Sequence, residues 1–406
     1  MVETGVFLCR RKRGIMTELI DYSKPILDED GNPIKISEIG DHHCIRCIKK
    51  ARALKKVGYT IYGAGHRASY GTDIYDAYFV FHNDEQMENT VKAMIDLGVR
   101  GITWNNEPDS PAIKIKNVIK SMGVEDKVKL IVDLHDLDSV RRGFIPLPER
   151  EMFNTADAFI FVSNSIKKVE VELHKIDKPS ITLFSYCNKG VIDYDPNAIV
   201  ARQGLVYEGG ANTPVETSPG YNTMFRYRLL HPLIKRLVEL GNVVYMYCGN
   251  ITAYDTYHDT GAVLFPPTDY DEMMKGLIKY KYGILGFNNE DGQQAQVNLT
   301  LTNKMMEYLQ AGLPSLTFWC KESEDYVRKH NIGFTFEHID DIGDTSHFES
   351  MYPQIMSNIW TKRQELVMEN FIWRVENLYA ELLGLNKKGV PDNIMSLSKF
   401  EFDDID

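Results

Sequence analysis

Leu299-Thr300-Leu301-Thr302-Asn303-Lys304-Met305-Met306-Glu307-Tyr308-Leu309-Gln310-Ala311-Gly312-Leu313-Pro314 decides the reading of the fold. Thr302 stands where a helix N-cap belongs, and Lys304 and Glu307 follow it one turn apart. Gly312-Leu313-Pro314 stops the helix and launches an apolar strand, Ser315–Phe318. A helix entrance with open N–H groups attracts phosphate. A carboxylate one turn further in can accept from a pair of vicinal hydroxyls.

The same alternation extends in both directions. Gly204–Tyr207, Val243–Cys248, Ala262–Phe265 and Tyr282–Leu285 read as strands, with a helix over Tyr227–Leu240 that Gly241 stops. A long helix is expected from Tyr352 to Leu383. Earlier in the chain the strands are Ile34–Ile39, Tyr59–Gly63, Ala77–Phe81, Gly101–Trp104, Lys129–Leu134, Ala158–Ser163 and Ser180–Phe184. A helix over Cys44–Val57 is stopped by Gly58. Strands alternating with helices imply parallel βαβ units. The division expected is an N-terminal arm (1–33), a first Rossmann-like domain (34–190) and a second (204–365). A crossing helix (366–384) and a flexible acidic tail (385–406) complete it. The polar stretch 188–203 is a plausible hinge between two α/β sheets facing a central cleft. Ligands of such sheets sit beyond the carboxyl ends of strands.

The run from Asn303 to Pro314 resembles the "NK-x-x-EYL-x-AGLP" segment of GT-B glycosyltransferases, particularly the large retaining family 4. The helix ending at Gly58, IRCIKKARALKKVG, is similar to that family's first helix. Trp104-Asn105-Asn106-Glu107 looks like its "H-x-H-N" strand end, with Trp and Asn replacing the histidines. Val132-Asp133-Leu134-His135-Asp136-Leu137 is similar to "D-x-H-D", and Thr155–Ser163 to "ADA-x-I-x-VS". Trp373–Leu383 resembles the helix that returns to the first domain. The order and spacing of these matches carry the resemblance across roughly residues 34–384.

The resemblance implies an enzyme that moves a sugar from a nucleoside diphosphate sugar, UDP- or GDP-linked, with retention and without a metal or cofactor. It gives Glu307 to the ribose hydroxyls and His135 to the donor sugar. Thr302, Asn303 and Lys304 belong to the diphosphate, although capping alone also explains Thr302. Gly209-Gly210, after the first strand of the second half, lets backbone approach phosphate closely and equally makes a turn. Arg226 or Arg228 would meet the charge of the departing diphosphate. The family places a second Glu eight positions before the ribose Glu; here that position is Leu299, with Asn298 and Glu290 as nearby substitutes. On the acceptor side stand His42 and His43, with Asp41 as a base only if the reaction inverts. Asp133 and Asp136 flank His135, but no third ligand completes a metal set, and His42-His43-Cys44-x-x-Cys47 lacks a second Cys pair.

Composition limits the partners. The net charge is −11, with 28 Lys+Arg against 29 Asp+Glu in residues 1–200 and 18 against 28 in residues 201–406. A polyanion would have to meet the first half, through Arg10–Arg13, Lys49–Lys56 or Arg141-Arg142, though each of these also reads as a solvated helix face. No apolar run reaches the roughly 18 residues that span a bilayer. Six scattered cysteines suit reduced thiols. A cytoplasmic chain is expected, compatible with a peripheral position at a membrane. The acceptor is open between a glycan, a lipid-linked glycan and a modified DNA base, and the oligomeric state is open too. Rival readings are a phage-type DNA-base glycosyltransferase, an inactive nucleotide-sugar binder, and an epimerase or phosphorylase of the same fold.

Overall fold

The computed structural model describes residues 23–41, 43–105, 109–192, 202–212, 226–288 and 294–402. The first domain carries β1 (Lys35–Ile39), β2 (Thr60–Gly65), β3 (Ala77–Val80), β4 (Val99–Asn105), β5 (Lys129–Leu134), β6 (Ala158–Phe161) and β7 (Ser180–Thr182). Its helices are α1 (Ile45–Val57), α2 (Asp84–Asp96), α3 (Ser110–Ser121), α4 (Asp138–Arg142), α5 (Leu147–Thr155) and α6 (Asn164–His174). The strands form one parallel sheet in the order β3-β2-β1-β4-β5-β6-β7. Leu130, Ile131 and Val132 of β5 are all fully buried, as a strand covered on both faces requires.

The second domain repeats the plan with β8 (Leu205–Gly209), β9 (Val244–Cys248), β10 (Val263–Phe265), β11 (Tyr282–Gly286), β12 (Ser315–Phe318) and β13 (Gly333–Phe336), ordered β10-β9-β8-β11-β12-β13. Its helices are α7 (His231–Glu239), α8 (Ile251–Thr256), α9 (Tyr270–Leu277), α10 (Gln294–Leu299), α11 (Asn303–Ala311), α12 (Lys321–His330) and α13 (Tyr352–Glu365). The half-exposed edge strand β13 has no counterpart in the sequence reading, because Gly333-Phe334-Thr335-Phe336 is short and all four residues are only partly buried. The helix expected over Tyr227–Leu240 begins at His231. A short 3-10 turn, Arg226–Arg228, precedes it, and Pro232 sits in the first turn, where its missing N–H costs nothing.

The C-terminal region departs most from expectation. The single long helix divides into α13, α14 (Met368–Phe371) and α15 (Trp373–Leu383), because Val367 adopts an extended conformation. At that break the chain passes to the first domain, where α15 lies against β5, β6 and β7. Tyr379 Oη lies 2.6 Å from Thr103 Oγ1. Its ring fills the space over Gly101, where a Cβ would stand 2.4 Å from it. Nor is the described part of 385–406 a flexible tail. It forms α16 (Asp392–Glu401), anchored by Phe402 against Phe184 and Phe371. The Glu401 carboxylate accepts from Tyr186 at 2.5 Å and Tyr326 at 3.0 Å. The start signal, Asp392 after Pro391, is in the sequence, but the acidic end beyond it obscures the helix.

Candidate active site

The ends of β5, β8 and β11 and the entrance of α11 meet between the two sheets around a cleft of ≈ 450 Å³. β5 delivers His135 and Asp136, β8 delivers Glu208, Gly209 and Gly210, and α11 presents Thr302, Asn303, Lys304 and Glu307. Gly209 has φ 111°, a conformation that a side chain would strain. A Cβ there would also stand 3.2 Å from Lys304 Nζ. The bare backbone thus leaves an opening next to a cation.

Thr302 occupies the N-cap position but makes no capping hydrogen bond. Its Oγ1, like Asn303 Oδ1, is buried without a hydrogen bond from any described residue. Lys304 is sandwiched near the rings of Tyr207 (5.2 Å) and Phe287 (5.7 Å). Burial holds its ammonium below the ordinary lysine range, against the pull of Glu208. Arg228 borders the cleft beside Gly210, whereas Arg226 on the same turn does not line it.

Glu307 is 2 % exposed and faces the interdomain cleft. It belongs to the second turn of α11. Burial by itself would raise its pKa, but Lys49 and a hydrogen bond with Glu208 hold it low. Glu208, which the sequence reading missed, lies beside it and is pushed well up by burial and by Glu307. Lys49 was missed as well. The cluster Lys49–Lys56 is not a solvated face at its start, because Arg46, Lys49 and Lys50 are all buried along one stripe of α1. Lys50 and Arg46 both pair with Asp133, at 2.5 Å and 3.0 Å, which makes Asp133 a core residue.

His135 lies 3.7 Å from Cys44 Sγ through Nδ1 and 3.5 Å from Asp133 through Nε2. Burial alone would lower its pKa, but Cys44 and Asp133 push it up to about 9. Asp136 is engaged by Arg141 at 2.8 Å and by Gln296 Nε2 at 3.2 Å. Gln296 Oε1 also accepts from Leu137 N–H, tying this first-domain loop to α10 of the second domain.

Other expected site residues lie elsewhere. His43 is buried, with Nε2 2.9 Å from Ala64 O and Nδ1 2.7 Å from Tyr75 Oη, which makes it a core histidine and not an acceptor contact. Asp41 pairs with His66 at 2.8 Å and does not line the cleft. Asn298 accepts from Lys321 N–H at the start of α12 and does not line the cleft. Leu299 packs against the first-domain core, and its carbonyl accepts from Ser163 Oγ–H. His42 and Glu290 lie outside the described residues. A larger groove of ≈ 700 Å³ runs between α6, α12 and α16 but contains none of the candidate site residues. The cleft, with its buried charges and unsatisfied oxygens, is the better site.

No protein-family profile and no curated protein sequence matches the chain. Solved structures do. Sucrose-phosphate synthase from Thermosynechococcus elongatus aligns with a TM-score of 0.62 at 11% identity, over 86% of this chain and 99% of that one. A glycosyltransferase from Rickettsia africae ESF-5 gives 0.60 at 11% identity, over 87% and 99%. WaaG, a glycosyltransferase involved in lipopolysaccharide biosynthesis, gives 0.55 at 10% identity, over 86% and 100%. The chain therefore has the two-domain GT-B fold. No helix among the described residues is long and apolar enough to cross a membrane.

Proposed function

We propose that the chain is a glycosyltransferase that takes its sugar from a nucleoside diphosphate sugar held in this cleft. The observation that carries the proposal is the entrance of α11. Two buried side-chain oxygens and a desolvated lysine surround open N–H groups there, beside a glycine backbone and Arg228. A diphosphate accepts from Thr302 Oγ–H, Lys304, Arg228 and those N–H groups at once, and leaves Asn303 Oδ1 to accept from a hydroxyl of the donor. Glu307, one turn further along, accepts from the ribose hydroxyls, and Glu208 adds a second carboxyl beside it. UDP and GDP are the first donors to test.

The chemistry required is stabilisation of a leaving diphosphate. Negative charge grows on it as the glycosidic bond breaks. Lys304, Arg228 and the α11 N–H groups are already oriented toward that charge, so little reorganisation is needed. His135 closes the sugar end of the cleft, held by Cys44 and Asp133. By resemblance the anomeric configuration is retained, and these fixed cations meet the diphosphate charge without a metal. With Leu299 drawn into the domain contact, the transferred sugar must be read by other groups, of which His135, Asp136 and Gln296 line the cleft.

Among the described residues a DNA acceptor gains no support from the basic clusters, and Arg10–Arg13 lies outside them. Lys49 and Lys50 are buried in ion pairs, and Arg141 and Arg142 pair with Asp136 and Asp138. A thermal-shift panel of UDP-, GDP- and ADP-sugars tests the proposal, because a ligand of the folded form alone raises its melting temperature. At least one should raise it in a concentration-dependent way, and R228M should abolish the shift. No shift with any of them at millimolar concentration would contradict the proposal.

A further inference from the structure

Away from the cleft, Glu149 on α5 and Glu170 and His174 on α6 converge in the first domain. One ligand atom from each lies within 4.8 Å of the other two. His174 Nε2 is 3.0 Å from Glu149 Oε1 and 3.2 Å from Glu170 Oε2. Glu170 and His174 are four residues apart and so share one helix face. The imidazole is fixed by stacking on Phe153, with centroids 4.1 Å apart. Glu149 Oε2 accepts Ser139 N–H at 2.8 Å, which fixes that carboxylate.

Two observations point to a missing ligand. The first is charge. Glu149 and Glu170 are 2 % and 0 % exposed, and among the described residues only His174 pairs with them. Two ionised carboxylates against one charged imidazole leave a buried negative charge over. Uncompensated buried charge is costly. A divalent cation with two carboxylates and a neutral imidazole sums to zero. The second is an orphan: Glu170 Oε1 is buried without a hydrogen bond of acceptable geometry. The spacing also fits, since a tetrahedral ion with bonds of roughly 2.0–2.1 Å sets its ligand atoms about 3.3 Å apart.

We propose that Glu149, Glu170 and His174 bind a first-row divalent cation, with Zn²⁺ the best match and water completing the set. The imidazole selects against Mg²⁺ and Ca²⁺, which take oxygen ligands. The site is structural. Ser139 belongs to α4, which directly follows the His135-Asp136-Leu137 loop, so an ion at Glu149 braces one wall of the cleft.

The test uses the full-length chain stripped of metal by a chelator and titrated with Zn²⁺ in a calorimeter. One ion should bind per chain and raise the melting temperature. E170Q and H174Q should each weaken binding at least tenfold. E170Q removes a buried charge, so the metal-free variant should be no less stable than the metal-free wild type, which separates a lost ligand from a lost fold. Co²⁺ in place of Zn²⁺ should give visible d–d absorption that H174Q removes. The proposal fails if the stripped chain binds no Zn²⁺, or if both variants bind it as tightly as wild type. Neither result bears on nucleotide binding in the cleft.

Discussion

Lys49 Nζ, on the first helix of the first domain, lies 3.0 Å from Glu307 Oε1 on α11 of the second, and both groups are buried. The ion pair joins the two domains at the floor of the cleft, and Lys49 also donates to Ser185 O at 3.2 Å. Burial pushes the Glu307 pKa up, and Lys49 is the largest influence holding it down. The acid assigned to the ribose is therefore a ready hydrogen-bond acceptor. Removing one partner of such a pair strands the other charge, so K49M should cost about 3–5 kcal/mol of stability. The double variant K49M/E307Q should recover most of that loss. Urea unfolding of wild type, both single variants and the double variant measures this coupling; additive losses would mean the pair is not formed.

Lys304 makes a second prediction. Its ammonium is disfavoured by burial and by Arg228, and a diphosphate would restore the favoured charge. Binding should therefore take up protons, increasingly as pH rises through the depressed pKa. Calorimetric titration of nucleoside diphosphate at alkaline pH, in buffers of different ionisation enthalpy, reads that uptake directly. K304M should abolish it and weaken binding by at least tenfold. An unchanged proton count in K304M would assign the uptake to another group.

Gly209 should not tolerate a side chain. Its φ of 111° and the 3.2 Å approach of Lys304 Nζ put G209A in conflict with both backbone and site. Backbone strain of this kind costs on the order of 1–3 kcal/mol. Part of it should appear as lowered stability and part as loss of nucleotide affinity, through displaced Lys304. Wild-type affinity in G209A would show that the backbone here is not part of the donor site.

Cys44 Sγ lies 3.5 Å from Cys47 Sγ and 3.7 Å from His135 Nδ1. Cys47 and His135 together hold the Cys44 thiol well below its usual range, against burial. His135 is raised to about 9, so its stabilising contribution is complete below its unfolded pKa near 6.5 and is lost as pH climbs through the folded value. Cys44 has the opposite sense: its contribution is complete above an unfolded pKa of about 8.5 and is lost as pH falls. Between roughly 6.5 and 8.5 the folded and unfolded pair bind equal numbers of protons, so the pair adds no slope there and weakens on either side. Cys44 should accordingly react with iodoacetamide already at pH 6–7. H135Q should move the rate profile toward that of an ordinary thiol. A wild-type profile rising only near pH 8.5 would show that no thiolate forms.

The alternating strands were legible because strands buried on both faces read as apolar runs, and the α11 segment combined cap, charge and stop signals in one place. Lys49, Glu208 and Gln296 were not legible as site residues. Each is a polar residue whose partner lies on a distant element, and the pairing exists only after the domains meet. One signal was available: Arg46, Lys49 and Lys50 have the i, i+3, i+4 spacing of a single stripe, which on α1 faces inward. His43 misled because a His after a strand reads as cleft-facing, whereas Tyr75 and Ala64 O draw it into the core. The extended break at Val367 and the packing of α16 depend on contacts with residues such as Cys187 and Tyr186 of the first domain.

The most direct measurement is calorimetric titration of wild type, E307Q and K49M/E307Q with UDP, GDP and ADP. The double variant keeps the fold comparable by leaving no stranded charge. At least one nucleotide should bind wild type, and both variants should lose at least tenfold in affinity for it, about 1.4 kcal/mol. The matching 2′,3′-dideoxyribose nucleotide should bind all three proteins equally weakly. If E307Q binds the ribonucleotide as tightly as wild type does, Glu307 does not hold the ribose, and the donor site lies elsewhere.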